Sequence, residues 1–314
     1  MKGCSRSPQP NVKPHRGCYT VATVRVAIIA DIHANVPALE AVWQDLSEQR
    51  PDLTIINGDM VNRGPSNVAV LERLWDEAAR GGVVVTLGNH DDLMRKCATN
   101  DPELPPGWST DPLWTAMAWS ARQLEAAGWL DELAALPMTH RVGAETDSDL
   151  SQDAPSVLVS HGSPRHYREG YGERTPAASF AEITGQFPSD VLVGSHTHQP
   201  FEGQWQGRAI YNTGAVGAPF NGDPRAQYLM LELRGERWQA DFRRVPYDRA
   251  PALKAFETSG LLDEGGLSAH IFREELKRAR SYLTPFWVWT EKTGLPASWD
   301  SWQRFEREFP ERFA

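Results

Sequence analysis

Five short runs of aliphatic, mostly β-branched residues, each broken off by Gly, Asp, Asn or His, constrain this chain more than any other feature. They are residues 24–30 (VRVAIIA), 52–57 (DLTIIN), 82–87 (GVVVTL), 156–160 (SVLVS) and 190–193 (DVLV). Nearly continuous apolar runs of this length read as strands buried on both faces. Between the first two, Ala38, Leu39, Val42, Trp43 and Leu46 recur at helical spacing. Between the next two, Val68, Leu71, Leu74, Trp75 and Ala78 do the same. Strand, helix, strand, helix, strand is the order of an α/β core with parallel strands.

The rest of the chain has a different texture. Residues 208–213, 227–233 and 237–245 follow one another with Gly and Asn in the connections and no helical stretch between them, which predicts antiparallel strands. Residues 92–139 hold Pro-rich breaks and then Trp114, Met117, Ala118, Ala121 and Leu124 at helical spacing, a helical insertion. Residues 141–155 are polar and acidic and read as a loop. From 246 to 314 the pattern is helical, with Trp287, Trp289, Trp299 and Trp302 as packing residues. The division expected is an N-terminal arm over 1–23, a domain over 24–245 and a helical extension over 246–314. Pro8, Pro10 and Pro14 interrupt the arm, which lacks the apolar stretch of a secretory signal.

Composition excludes several classes. The formal charge of −9 offers no overall attraction to nucleic acid or to an anionic membrane, and no apolar run nears the roughly 20 residues of a bilayer span. Cys4, Cys18 and Cys97 form no metal-ligand spacing and no complete set of disulfides, which fits a cytoplasmic protein.

The polar residues that end the five runs carry the chemistry. Asp31 and His33 follow the first, Asp59 the second, Asn89, His90 and Asp91 the third, His161 the fourth, and His196 and His198 the fifth. In an open α/β sheet, ligands bind beyond the carboxyl ends of the strands, so the five loops are expected to converge. Carboxylate, imidazole and amide oxygen without thiolate suit Mn, with Fe and Zn as alternatives. The donors outnumber the needs of one ion, and two ions sharing a carboxylate form the known device for displacement at phosphorus.

In order, DIH at Asp31, GDMVNRG at Gly58, GNHD at Gly88, a lone His161 in SHG, and SHTH at Ser195 resemble the calcineurin-like metallophosphoesterases. The last motif departs by one residue, carrying Ser195 where the family has Gly. The stretch YNTGAVGAPFNGDPRA from Tyr211 resembles the segment that follows in a bacterial branch. The resemblance implies a two-sheet α/β sandwich flanked by helices, with the insertion walling the site and the C-terminal helices packed outside it or over an edge. It further implies one ion on Asp31, His33 and His198, a second on Asn89, His161 and His196, and Asp59 bridging them. His90 would face the phosphoryl group, Asp91 would orient its imidazole, and Arg63 would grip phosphate oxygens. Asn35 and Asn62 are weaker candidates for phosphate or ligand-orienting contacts. The implied activity is hydrolysis of a small phosphoester, a phosphodiester or nucleotide, by in-line attack of metal-bound hydroxide. A dinucleoside polyphosphate hydrolase or protein phosphatase is the nearest alternative, and a metal-poor binding scaffold the contrasting one.

Outside the motifs, His166 with Arg165, Tyr167 and Arg168 is a pocket-lining candidate. His140 and His270 read as structural or exposed, His15 lies in the arm, and Cys97 reads as an inert thiol.

Overall fold

A computed structural model describes residues 24–143 and 154–313; the arm over 1–23 and most of the loop expected at 141–155 lie outside the described residues. The chain begins as expected, with β1 (Arg25–Ile29), α1 (Val36–Gln49), β2 (Leu53–Asn57), α2 (Asn67–Arg80) and β3 (Val83–Thr86). The three strands are parallel. The helix α3 (Asn89–Thr99) starts inside the third motif, three residues before the insertion was expected to begin. Helices α4 (Thr115–Ala126) and α5 (Leu130–Ala134) complete the insertion.

Then come β4 (Thr139–Val142), β5 (Val157–Ser160), α6 (Ala177–Gln186), β6 (Val191–Gly194), β7 (Pro200–Trp205), β8 (Arg208–Thr213), β9 (Ala226–Arg234) and β10 (Arg237–Val245). Four helices follow: α7 (Ala250–Thr258), α8 (Leu261–Arg278), α9 (Leu283–Thr293) and α10 (Trp299–Glu308).

Two five-stranded mixed sheets result, ordered β10-β9-β1-β2-β3 and β4-β5-β6-β8-β7. Two strands escaped the sequence reading, and both are edges. The strand β4 is polar at three of its four positions (THRV), and β7 opens on Pro200 and contains Gly203, residues that a central strand tolerates poorly and an edge accepts. The three late runs do not form one meander. β8 lies parallel to β6 in the second sheet, while β9 and β10 pair antiparallel in the first, with β9 beside β1.

Period-two alternation decides which residues meet. Val26 and Ile28 of β1 face inward with Ile55, Leu229 and Leu231 against Val157, Val159, Val191 and Val193 of the other sheet. Ala27 and Ile29 face outward with Ile56 and Met230, under the helices of the first half and the C-terminal extension. Leu158, Leu192 and Ile210 cover the far face of the second sheet with Phe180 and Ile183 of α6. Because β1, β2 and β3 run parallel, their carboxyl ends open on the same rim, where β5 and β6 of the second sheet also end.

Candidate metal centre and cleft

The loops at that rim are locked by backbone contacts before any side chain acts. Asp31 N–H donates to Gly58 O, His33 N–H to Asp59 O and Gly217 N–H to Asp31 O, at 3.2, 3.1 and 2.9 Å. Gly58 and Gly88 let two of the loops pack back to back: a Cβ on Gly58 would lie 2.4 Å from Gly88 N, and one on Gly88 2.1 Å from Asp59 N. Eight non-glycine residues here have positive φ, namely Asp31, His33, Ala34, Asp59, Asn62, Arg63, His196 and His198. Such conformations are costly for residues with a Cβ and persist where surrounding structure over-determines them, as at functional sites. Ser195, by contrast, is free of this strain; it is buried, with Oγ accepting from Asn57 Nδ2 at 2.9 Å and 2.8 Å from Thr213 Oγ1.

The seven expected ligands come together. Donor atoms of Asp31, His33, Asp59 and His198 lie within 4.8 Å of one another, as do those of Asp59, His161 and His196, so Asp59 belongs to both groups. Asn89 Oδ1 sits 3.1 Å from His161 Nε2 and 2.7 Å from His196 Nδ1.

The donor set fits cations. His33 Nδ1–H donates to Val61 O and His198 Nδ1–H to Ala218 O, which leaves both Nε2 atoms as lone pairs, yet they face each other at 3.2 Å. The Nε2 of His198 is 3.3 Å from Asp31 Oδ1, and that of His161 is 3.2 Å from Asp59 Oδ2. These two carboxylate oxygens are buried and have no well-aligned hydrogen-bond donor among the described residues. Lone pairs and carboxylate oxygens converging in a buried space are what a divalent ion requires and what a hydrogen-bonded core avoids. Burial opposes a charge on His161, but the Asp59 and Asp31 carboxylates overcome it and push the imidazole up to about 10. A bound dication would displace that proton.

His90 and Asp91 divide their work differently from the expectation. They are adjacent on α3, and neighbours in a helix point to different sides. The Asp91 carboxylate turns away from the imidazole and accepts from the backbone N–H of Asp59, Gly88 and Met60 at 2.8, 2.9 and 3.0 Å. Asp91 therefore clamps the loop that presents Asp59. Burial and the charge of Asp59 still push its carboxyl up to about 7.

Asn62 is the residue that orients His90. Its Oδ1 accepts from Arg63 N–H at 2.7 Å, so its Nδ2 is the atom 2.7 Å from His90 Nδ1 and donates to it. That bond places the proton of the neutral ring on Nε2. Burial, reinforced by Arg63 and His198, lowers the imidazole to about 3 and keeps it neutral. Asn62 was legible only as a member of GDMVNRG. Asn35 instead caps α1 and donates to Gly217 O and Tyr247 Oη.

Arg63 is gripped from the C-terminal side. Its Nη1 lies 2.5 Å from Glu275 Oε2 on α8, and its guanidinium packs between the rings of Phe220 and Phe272. The other Glu275 oxygen accepts from Tyr282 N and Leu283 N at 2.7 and 2.8 Å, joining Arg63 to the start of α9. Nothing in the sequence around Glu275 signals this role.

Above the donors lies a cleft with two lobes. One, of about 810 Å³, is lined by Asp59, Arg63, His90 and His198 together with Arg280, Tyr282 and Arg312 of the extension. The other, of about 480 Å³, is walled by Trp108, Trp114, Met117, Tyr167 and Trp287 and floored by Asn89 and His90. The C-terminal helices thus form a wall of the cleft and do not merely cover an exterior edge. Trp287 is 43% exposed and meets Trp114 edge to face at 5.8 Å, so it is no simple packing residue. His166 and Arg168 line the apolar lobe with Tyr167, whereas Arg165 is held by Glu169 and Glu182. Cys97 is buried, which pushes its thiol up to about 12 and leaves it inert. No helix among the described residues is long and apolar enough to cross a membrane.

The two-sheet sandwich brings a buried Asp and His cluster that could hold metal ions to the strand ends. Residues 24–200 match the calcineurin-like phosphoesterase family, and the chain belongs to it; it is a metal-dependent phosphoric ester hydrolase. It is similar to the crystal structure of a metallophosphoesterase from Sphaerobacter thermophilus, at 27% identity and a TM-score of 0.59, covering 82% of this chain and 99% of that one. A hypothetical protein from Pyrococcus horikoshii shares the fold at 19% identity and a TM-score of 0.66, covering 82% of this chain and all of the other. An uncharacterized protein of Methanocaldococcus jannaschii is 24% identical over 238 residues, 71% of this chain and 88% of its own length.

Proposed function

We propose that the protein hydrolyses a small phosphodiester or nucleotide by in-line displacement at phosphorus, with two divalent ions, Mn first among them. The observation that carries this reading is the membership of Asp59 in both donor groups, with the Nε2 atoms of His33 and His161 turned toward it and that of His198 toward Asp31. Asp31, His33, Asp59 and His198 would hold one ion and Asp59, Asn89, His161 and His196 the other. The ions would supply Lewis acidity to the phosphoryl oxygens and lower the pKa of a water.

The chain's own residues complete the chemistry. Arg63 offers a guanidinium to the phosphoryl oxygens, aligned by Glu275 and the two phenyl rings. His90, with Nε2–H fixed by Asn62, lines both lobes and is placed to give a hydrogen bond to the charge that develops on the leaving oxygen as the P–O bond breaks. Asp91 keeps Asp59 in its strained conformation and touches no substrate. Enclosure of the cleft by the insertion and the C-terminal helices supports a small substrate over a folded protein.

Metal analysis and a substrate panel test the reading. With Mn, two ions per chain and turnover of a generic diester or nucleotide above that of a phosphoprotein are expected. A chain that takes up no metal and hydrolyses no phosphoester would be the binding scaffold instead.

A further inference from the structure

Both lobes of the cleft carry cationic side chains, and the larger carries more: the tryptophan-walled lobe has Arg168, over the Tyr167 ring, and Lys96, which Asp92 and Glu103 hold. Arg174, Arg280 and Arg312 line the larger one beside Arg63, and Asp59, already committed among the proposed metal donors, is the only carboxylate in its lining among the described residues. Arg73, Arg95, Arg165, Arg243 and Arg278 are each paired with carboxylates. None of Arg174, Arg280 and Arg312 has an ion-pair partner among the described residues; Arg312 lies only over the Phe309 ring. In a chain with 41 acidic and 32 basic residues, three uncompensated arginines around one cavity run against the overall charge. Like charges facing one cavity favour an anion seated among them. All three are exposed, so they stay hydrated until a ligand arrives, and Thr197, Gln199 and Asn221 add neutral polar groups around them.

Arg63 and the metal donors already account for the phosphoryl group that reacts. We propose that Arg174, Arg280 and Arg312 form a subsite for a second phosphate on the substrate, and that the tryptophan-lined lobe receives its uncharged or aromatic end. The preferred substrate is a phosphoester with a further phosphate on one side of the reacting phosphorus and an apolar group on the other. This deepens the proposed function and rests on it. Guanidinium groups suit phosphate because they present paired donors in a fixed fork, and a cleft lined by one sign of charge concentrates the opposite one. Arg174 lies within the residues that match the family, and Arg280 and Arg312 lie in the C-terminal extension beyond them.

Two measurements test the subsite on the full chain. The first compares kcat/KM for thymidine 5′-(4-nitrophenyl phosphate) with that for the same ester bearing a 3′-phosphate. The wild type should prefer the 3′-phosphorylated ester, and R280Q/R312Q should lose about tenfold or more of that preference. The second is calorimetric titration of inorganic tripolyphosphate into chelator-treated protein, where the double variant should bind about tenfold or more weakly. R174Q, in a separate segment, should shift both readouts in the same direction, and serves if the double variant does not fold. Equal preference in wild type and variants, or no preference at all, would overturn the subsite. If neither ester is hydrolysed, the proposed activity on diesters falls, and the titration alone decides: weaker binding by the variants upholds the anion site, equal binding removes it.

Discussion

The motif loops and the C-terminal extension face each other across one cleft and are built in opposite ways. The loops place eight non-glycine residues at positive φ, bury nearly all their polar groups and pack backbone on backbone. Among the described residues the extension has one non-glycine positive φ, Ala279 just after α8, and it lends the cleft side chains from α9, such as Thr284, and from the segments beside its helices, Arg280 before α9 and Arg312 after α10. A donor set that must hold cations needs rigid placement, and rigid placement comes from backbone that cannot relax. A wall that selects substrates needs only side chains on a stable support, which helices packed on the core provide. The two regions touch at Arg63 and Glu275, at Asn35 and Tyr247, and where Gly222 N–H donates to Ala279 O, so changes at those contacts should act on both.

The largest effect should come from Asp59→Asn. A neutral amide cannot bridge two dications, so turnover should fall at least about a thousandfold, with loss of one ion per chain by metal analysis. Activity near wild type with both ions retained would break the assignment of Asp59. His90→Ala should lower kcat about a hundredfold or more with both ions in place, because its imidazole serves the leaving group and not the metals. Loss of metal would move His90 among the ligands.

At the boundary between the regions, Glu275→Ala should act on both sides. It removes one member of a buried ion pair and the acceptor for Tyr282 and Leu283 N–H. Denaturant titration should show a loss of about 3 kcal/mol, and inhibition by phosphate should weaken several-fold as Arg63 loses its alignment. Arg63→Lys should weaken phosphate inhibition likewise but leave metal content unchanged, since an ammonium keeps the charge and loses the fork. If phosphate inhibits both variants as it does the wild type, Arg63 is a packing residue and the two regions are uncoupled. The smallest effect belongs to Arg307→Ala, exposed on α10 and outside the cleft lining. Its kcat/KM and metal content should stay within a few-fold of wild type, and a collapse would show that the extension does more than line the cleft.

The strands that carry the ligands were legible because each is a continuous apolar run stopped by Gly, Asp, Asn or His, and strand ends are where an α/β sheet binds. Strands β4 (THRV) and β7 (PFEGQW) were not, since Thr, His and Arg in the one and Pro, Glu, Gly and Gln in the other leave no apolar run. The partner of His90 was misassigned to the neighbouring Asp91, although a helix sends adjacent side chains apart. Asn62 is twenty-eight positions away in sequence and meets His90 only because α3 begins directly above the loop after β2.

By itself the sequence determined the types of the candidate donors, their order along the chain and the α/β alternation that lifts them to one rim, since these depend on local periodicity and on residue chemistry. Tertiary structure alone decided that Asp59 belongs to both donor groups, that Asp91 clamps a loop, that Glu275 holds Arg63, and that Arg280, Arg312 and Trp287 line the cleft. Each of those facts is a meeting of residues far apart in the chain. No local pattern encodes such a meeting, because it depends on how the two sheets and the C-terminal helices bury their apolar faces against one another.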